Sequence, residues 1–578
     1  MKDDCRIGFY ICNCGTNIAK VVDAEQVCER IAGLPGVACA RAYKYMCSNP
    51  GQEMITRDIR ERGLNRVVVA ACSPRMHEPT FRKALEAAGL NPYLLEMANI
   101  REQCSWVHDD PRAATAKACD LAHAAVRRVR YHQPLEKVEA SYAPATLVLG
   151  GGIAGLTVAV ELAEASQPVY LVEREGKLGG NVGRADLTAP YLDSARDILA
   201  EKIARAEASP KLDILLRSEL VELRGFVGNF RATVRTTGGP TRDLAVGAVV
   251  VCTGYQEFDA TRIERLGYGR FPDVITSFEL ERRLRMGRLE TDDGRIPRYV
   301  SIVHCVGSRN PRYHPYCSRV CCMTALKYGH EIKSALPAAM VTDLYVDMLS
   351  FGKGGEDFYR RTSELKTMFL MYEKGDPPRV RAAEPGDDCG LLVQVNERLS
   401  GEVIDVPADL VVLMVGMEAR ADGGDVARTV GISQDRQGWF IESHPKLAPV
   451  STATEGVYIA GCCQSPKDIP DSVAQARAAA AMVLAHVAQG KIEVDARFAE
   501  IDPDRCSGCR MCNELCPYTA ITFDPDERRS SVQSALCKAC GTCVAACPSG
   551  AITARHFTDK QIFEQIEGVL AWSSSRSS

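Results

Sequence analysis

Residues 146–173 read TLVLGGGIAGLTVAVELAEASQPVYLVE, and this stretch decides the fold. A short apolar strand, Thr146–Leu149, runs into Gly150-Gly151-Gly152-Ile153-Ala154-Gly155. Good helix formers follow over Leu156–Ala165, and a second strand, Val169–Val172, closes on Glu173. A lone GxGxxG is a weak signal, but here strand, helix and acidic residue complete the dinucleotide-binding pattern. Gly150 permits the tight turn, Gly152 lets the backbone approach a pyrophosphate, and Gly155 allows close helix–strand packing. The phosphate charge would sit at the helix N-terminus, and Glu173 can bind ribose hydroxyls. The bland alternative is an ordinary glycine turn.

Two further segments favour FAD over NAD as the dinucleotide. Gly179-Gly180-Asn181 follows Glu173 closely, where flavoproteins run the chain beneath the isoalloxazine. Gly456–Cys462 and then Val473-Ala474-Gln475-Ala476 resemble the closing FAD motif of thioredoxin-reductase-like flavoproteins, with Gly461 and Gln475 at its centre. The acidic residue usual after that glycine is Cys462 here. Val249–Gly254, ending in Thr253-Gly254, matches the strand those folds place before their second domain.

That second domain normally carries its own glycine fingerprint for NAD(P)H. Here the strand-like Tyr299–His304 leads instead into Cys305-Val306-Gly307-Ser308-Arg309 and then Cys317-Ser318-Arg319-Val320-Cys321-Cys322. Cys305, Cys317, Cys321 and Cys322 form an irregular candidate [4Fe–4S] site. Buried structural thiols and a redox-active disulfide are the alternatives that spacing leaves open.

Towards the carboxyl end one spacing occurs twice. Cys506, Cys509, Cys512 and Cys516-Pro517 are followed by Cys537, Cys540, Cys543 and Cys547-Pro548. This is the bacterial two-cluster ferredoxin pattern, in which the fourth cysteine of each run ligates the other [4Fe–4S] cube. A zinc ribbon or disulfide framework fits the repeated spacing poorly.

The bulk numbers agree with a cysteine-rich globular protein. The chain has 578 residues, 25 cysteines, 46% hydrophobic and 25% charged residues, and a net charge of −4. That charge gives no reason to expect nucleic acid or an anionic membrane as partner. Met1-Lys2-Asp3-Asp4 shows no apolar signal region, and the apolar runs are of strand length, so no transmembrane segment and a cytoplasmic location are expected. Abundant cysteine in such a compartment favours metal ligation over disulfides.

Residues 1–142 alternate strand and helix signals, predicting a small parallel α/β domain. Its cysteines follow strands or lie in loops, where an open parallel sheet gathers ligands. Cys14, Cys47, Cys72 and Cys104 are the candidate ligands of a further [4Fe–4S] cluster, with Cys12 as a substitute. His77 could be a ligand or proton donor, although a satisfied polar histidine is the commoner case. Cys5, Cys28, Cys39, Cys119, Cys252 and Cys389 have no ligand spacing and read as structural.

The whole chain resembles the heterodisulfide reductase A-subunit (HdrA-like) family. The resemblance runs through Ile11–Ile18, YKYMCSNPGQ (43–52), CSPRMHEPTFR (72–82), NIREQCSWVH (99–108), YCSRVCCM (316–323), Gly461–Gln475 and both ferredoxin runs. It implies that Cys305, Cys317, Cys321 and Cys322 hold a [4Fe–4S] cluster close to FAD. It further implies that Lys327 stands near flavin N5, the alternative being an exposed helix lysine. The expected activity is that of an oxidoreductase, the flavin-bearing electron hub of a complex that bifurcates or confurcates electrons. Expected partners are disulfide-reducing subunits and a hydrogenase, formate or NADH module, with a homodimer conceivable inside the complex. Many family members carry an inserted ferredoxin domain, whereas residues 255–298 are short and lack cysteine.

The expected fold is therefore α/β: a thioredoxin-reductase-like FAD-binding Rossmann fold with an N-terminal α/β domain and a C-terminal two-[4Fe–4S] ferredoxin domain. The expected boundaries are 1–142, then 143–260 and 446–495 for the two parts of the FAD domain. Residues 261–445 form a second Rossmann-like domain, 496–556 the ferredoxin domain, and 557–578 a helix and a disordered serine-rich tail. Two competing readings are a stand-alone flavin-dependent disulfide/thiol oxidoreductase using Cys321/Cys322, and a non-catalytic scaffold.

Overall fold

The computed structural model describes residues 5–574. It divides into two compact units, 1–139 with 493–578, and 140–492.

In the larger unit, Thr146–Leu149 is the centre of a five-stranded sheet. Leu212–Leu215 and Val169–Val172 lie to one side, Ala248–Val251 and Val457–Ile459 to the other, all parallel. The strands are continuous apolar runs because both faces are covered, one by helices and the other chiefly by the antiparallel strands between 218 and 246. Helix Ile153–Glu164 is buried over most of its length, and Ile469–Gln489 packs beside it. The last strand and its helix come from the far end of the unit, so the FAD domain is completed only after a second domain has been made.

That second domain has its own parallel sheet, in the order Val274–Thr276, Leu410–Val415, Tyr299–Val306, Met340–Tyr345 and Met368–Met371. Each domain also carries a three-stranded antiparallel sheet. One is built from Ser218–Phe226, Asn229–Thr236 and Thr241–Val246; the other from Arg379–Ala382, Leu391–Asn396 and Val403–Ala408. The apolar run Val246–Cys252 breaks at Gly247, where a Cβ would lie 2.1 Å from the Ala143 carbonyl oxygen.

In the other unit, a four-stranded parallel sheet has the order Val37–Tyr43, Ile7–Cys12, Arg66–Ala71, Leu95–Asn99. Asp58 is buried beneath it, held by Arg41 at 2.5 Å and by the Tyr10 hydroxyl at 3.2 Å. The ferredoxin region pairs Ala499–Ile501 with Ile552–Ala554 and Ile521–Asp524 with Arg529–Val532. Short helices Met511–Leu515 and Thr542–Ala546 follow the two cysteine loops.

Helix Asp559–Ser574 lies along Pro111–Val129, close enough that a Cβ on Gly568 would stand 2.7 Å from the Ala124 Cα. The helix therefore runs further than expected and takes in Ser573 and Ser574; the rest of the serine-rich tail, 575–578, lies outside the described residues. Glu564 anchors this contact by accepting from Arg127 at 2.7 Å, the Tyr131 hydroxyl at 3.0 Å and Lys560 at 2.9 Å. Burial raises the Glu564 carboxyl, but these hydrogen bonds overcome it and hold the group down at about 2. A depressed carboxyl contributes stability above its unfolded pKa and loses it as pH falls through the folded value. The helix is therefore expected to loosen as pH falls from about 4.3 towards 2. Amide exchange of residues 559–570 checks this, and Glu564→Gln should loosen the helix already at neutral pH and flatten the dependence.

Candidate flavin and iron–sulfur sites

The residues singled out for FAD gather at the carboxyl edge of the 146–149 sheet. Gly150 has φ +107°, and a Cβ there would lie 2.4 Å from the Cys252 carbonyl oxygen. A Cβ on Gly155 would come within 1.8 Å of the Gly150 carbonyl oxygen, so helix and turn close only with glycine. Gly152 differs: its nearest neighbour would be the Gly180 Cα at 4.0 Å. The backbone is thus tight where strand meets helix and open where a pyrophosphate would approach. Gly152 caps helix 153–164 without a side-chain partner, leaving the amide end free for an anion.

Glu173 is fixed at the end of its strand. One carboxylate oxygen accepts from the Gly151 amide at 2.6 Å and the other from the Glu175 amide at 2.7 Å. Gly179 bridges to Gly152, and Asn181 donates to the Tyr255 carbonyl at 3.1 Å, just past Thr253 and Gly254. Gly254 would present a Cβ to open space. Gly461 donates its amide to Gln475 Oε1 at 2.8 Å, joining strand end and helix as the closing motif requires. Cys462, in the acidic position, makes a 3.3 Å contact with the Lys467 carbonyl, and burial pushes its thiol up. This arrangement fits a flavin dinucleotide.

Cys305, Cys317, Cys321 and Cys322 come together at the end of strand Tyr299–Val306 and the first turn of helix Cys321–Ala335. Cys305 and Cys321 each feel the field of neighbouring thiols of this group. Burial drives Cys305 up to about 12, and Cys321 well above an ordinary thiol. Such thiols are inert until a metal deprotonates them. Cys317 already accepts the Arg319 amide at 3.3 Å. Tyr255, at the flavin-side edge, neighbours both Cys321 and Cys462.

Lys327 is only 2% exposed, which overturns its reading as an ordinary surface lysine. Its ammonium pairs with Glu281, lies 3.3 Å from Glu331 and donates to the Leu187 carbonyl at 3.1 Å. Glu281 also accepts from the buried Tyr328 hydroxyl at 3.0 Å. Burial, with Glu281 nearby, outweighs Lys327 and raises Glu331 to about 7. Tyr328 in turn adjoins Tyr255.

In the ferredoxin region the duplication is visible in the hydrogen bonds. Cys516 accepts from the Ala520 amide and Cys547 from the Ala551 amide, each at 3.3 Å. One small cavity is lined by Cys537, Cys540 and Cys543 together with Cys516 from the first run. The two-cluster ferredoxin pattern expects this crossed set around one cube. Of the first run's triplet, Cys509 is exposed and Cys512 buried.

In the N-terminal sheet the structure brings Cys12, Cys14, Cys47 and Cys72 together beyond the strand ends. Cys12 accepts amides of Cys14 at 3.3 Å and Met46 at 3.4 Å, and Arg101 reaches Cys14 Sγ at 3.7 Å. Cys104 is not with them: it is fully buried beside Cys119, Lys117 and Asp120. The π-helical turn Arg101–Ser105 directs Arg101, rather than Cys104, towards the thiols. Burial and Arg101 lower the His77 imidazole, keeping it neutral. Among the described residues no group of Cys, His, Asp or Glu is set to hold a single metal ion.

A dinucleotide-binding flavoprotein fold joined to a ferredoxin domain defines an iron–sulfur flavoprotein oxidoreductase. The chain matches a 4Fe-4S dicluster domain over residues 498–548 and an NAD(P)-binding Rossmann-like domain over 148–197. It is 39% identical to the second iron-sulfur A-subunit of the CoB--CoM heterodisulfide reductase of Methanopyrus kandleri, over 98% of this chain and 99% of that one. It is 40% identical to the A-subunit of the H(2):CoB-CoM heterodisulfide,ferredoxin reductase of Methanothermobacter thermautotrophicus, over 98% and 97%. The chain belongs to the heterodisulfide reductase A-subunit family. The first match spans 654 positions, more than this chain's 578 residues, so that relative has segments this chain lacks. Among solved structures, a thioredoxin reductase from T. acidophilum is 16% identical with a TM-score of 0.40, covering 60% of this chain and 100% of that one.

The glycines give a paired test. Gly152→Ala has room for its methyl group and should fold with unchanged melting temperature yet be purified without flavin absorbance. Gly155→Ala should lower the melting temperature itself, because the Gly150 carbonyl must move.

Proposed function

We propose that this chain is the FAD- and [4Fe–4S]-containing electron hub of a heterodisulfide-reductase-like complex, working by flavin-based bifurcation or confurcation. The observation that carries the reading is the cysteine loop 305–322, which stands where a nicotinamide cradle would be and adjoins Tyr255 at the flavin edge. Bound FAD would supply exchange between paired and single electrons, and the clusters single-electron carriage.

The residues divide that work. Gly150, Gly152, Gly155, Glu173, Gly180, Asn181, Thr253, Gly254, Gly461 and Gln475 would hold the flavin. Lys327 would present a cation at its N5 side, and Glu281 fixes that ammonium. Glu331, near its midpoint at neutral pH, can hold or release a proton beside it. Cys305, Cys317, Cys321 and Cys322 would ligate the cluster nearest the flavin. In the N-terminal domain Cys12, Cys14, Cys47 and Cys72 are the better ligand set, with Cys12 in the place expected of Cys104. Cys506–Cys516 and Cys537–Cys547 would pass electrons outward.

The partners proposed are disulfide-reducing subunits and an electron-donating hydrogenase, formate or NADH module, in the cytoplasm. The relatives' names, one of them referring to an H(2)/formate:CoB-CoM heterodisulfide,ferredoxin reductase, support a multi-subunit setting. Among the described residues no helix is long and apolar enough to cross a membrane.

Anaerobically purified protein should contain about one FAD and roughly twelve to sixteen irons per chain, for three or four cubes. Cys321→Ala should lose about four of them, one cube, and keep its flavin. Eight irons or fewer in the parent protein would remove both the flavin-proximal and the N-terminal cluster. Steady NADH oxidation by the isolated chain would instead support the stand-alone oxidoreductase.

A further inference from the structure

A cavity of about 670 Å³ opens between the turn Val182–Arg184 and helix Ser277–Arg285. That volume suits a small ligand. None of the residues that would hold the flavin or the flavin-proximal cluster lines it. Its wall sets four arginines, Arg184, Arg196, Arg282 and Arg285, against three carboxylates, Glu257, Asp259 and Glu279. The carboxylates are all engaged. Glu257 accepts from Arg184 at 2.9 Å, Asp259 from the Thr261 amide at 3.0 Å and hydroxyl at 2.7 Å, and Glu279 from the Thr276 amide at 2.7 Å. Two of the arginines are committed as well. Arg184, paired with Glu257, lies over the Phe278 ring at 4.1 Å, and Arg285 donates to the Gly183 carbonyl at 2.7 Å. Arg196 and Arg282 differ: among the described residues neither guanidinium has a hydrogen-bond or ion-pair partner.

We propose that this cavity binds a small polyanion, a ligand carrying phosphate or carboxylate groups, and that Arg196 and Arg282 take its oxyanions. A guanidinium presents its donors in a fixed planar fork that matches either kind of group bidentately. Two unpaired cations face one space, and an anion between them would relieve their repulsion as well as accept their hydrogen bonds. Glu257, Asp259 and Glu279 already accept within the wall and do not compete for these two arginines. The walls are also fixed to one another before a ligand arrives. Helix Ser277–Arg285 is tied to the opposite turn by Arg285, and Glu281 of the same helix accepts the Asp186 amide at 2.9 Å. A ligand therefore meets a cavity whose shape is set in advance, which lowers the cost of binding. The cavity is open to water, so its affinity should fall as salt rises.

The test is isothermal titration calorimetry of the anaerobic full-length holoprotein at low ionic strength, with inorganic pyrophosphate and succinate as separate probes. At least one should bind. Pyrophosphate alone would assign a phosphate-bearing ligand, succinate alone a dicarboxylate, and both a site that reads oxyanion charge. Arg196→Gln and Arg282→Gln should each weaken the binding by about tenfold at an unchanged melting temperature, because neither guanidinium has an internal partner to lose. Met286→Glu removes no arginine and places a carboxylate on an exposed residue of the cavity wall. It should weaken binding likewise, and it keeps the test decisive if an arginine variant fails to fold. No heat from either probe, or binding that the folded variants leave unchanged, would overturn the inference.

Discussion

The approach of residue 155 to the Gly150 carbonyl oxygen, 1.8 Å from where a Cβ would stand, constrains the whole flavin unit. It fixes how steeply helix Ile153–Glu164 leaves strand Thr146–Leu149, and so where the free amides of the helix point. Everything else at the sheet edge is placed against that turn. Glu173 takes the Gly151 amide, and Gly179 bridges to Gly152. The chain then leaves, builds a second domain, and returns with Gly461 packed so closely on Ala154 that a Cβ would sit 2.8 Å from its methyl. Both halves of the FAD domain therefore depend on the same few atoms.

A second constraint is the free energy of buried sulfur. Within the flavin-side group and within the N-terminal group the thiols are buried beside one another, and burial pushes Cys305 and Cys72 up to about 12. Grouped thiols without a metal gain little from such company. Backbone amides aimed at Cys12, Cys317, Cys516 and Cys547 make sense for thiolates, which accept hydrogen bonds far better than thiols do. The proposed ligation by iron would account for the burial, the clustering and the amides together.

What could be read from the sequence follows from how local each signal is. The glycine turn and the ferredoxin runs are short-range patterns whose geometry is set within a few residues. Cys104 shows the limit: it lies in a π-helical turn that brings the Arg101 guanidinium, and not its own thiol, to Cys14. Lys327 sits on a helix face whose burial depends on Glu281 from a distant helix, so no local pattern could distinguish it from a surface lysine. In the first antiparallel sheet, Asn229–Thr236 alternates buried Phe230, Ala232 and Val234 with exposed Arg231 and Arg235, a legible strand signal, whereas Ser218–Phe226 is interrupted by a register shift between Leu220 and Glu222.

The loss of a second nucleotide fingerprint also has a physical account. After strand Tyr299–Val306, the loop is tied down across the sheet's edge. Gly307 lies against the Phe258 ring, with no room for a Cβ at 2.2 Å, and Ser318 Oγ accepts the Met417 amide at 2.9 Å. The helix then begins with Cys321-Cys322, with Val320 rather than a glycine before it. A pyrophosphate needs a loop that stands back from the helix N-terminus and exposes its amides. This loop is instead drawn in, directing its sulfurs towards one another and bringing Cys321 to the flavin edge at Tyr255. The same Rossmann scaffold that would present a hydride donor to a flavin here presents a set of thiols, and with the proposed cluster bound it would exchange single electrons rather than hydride.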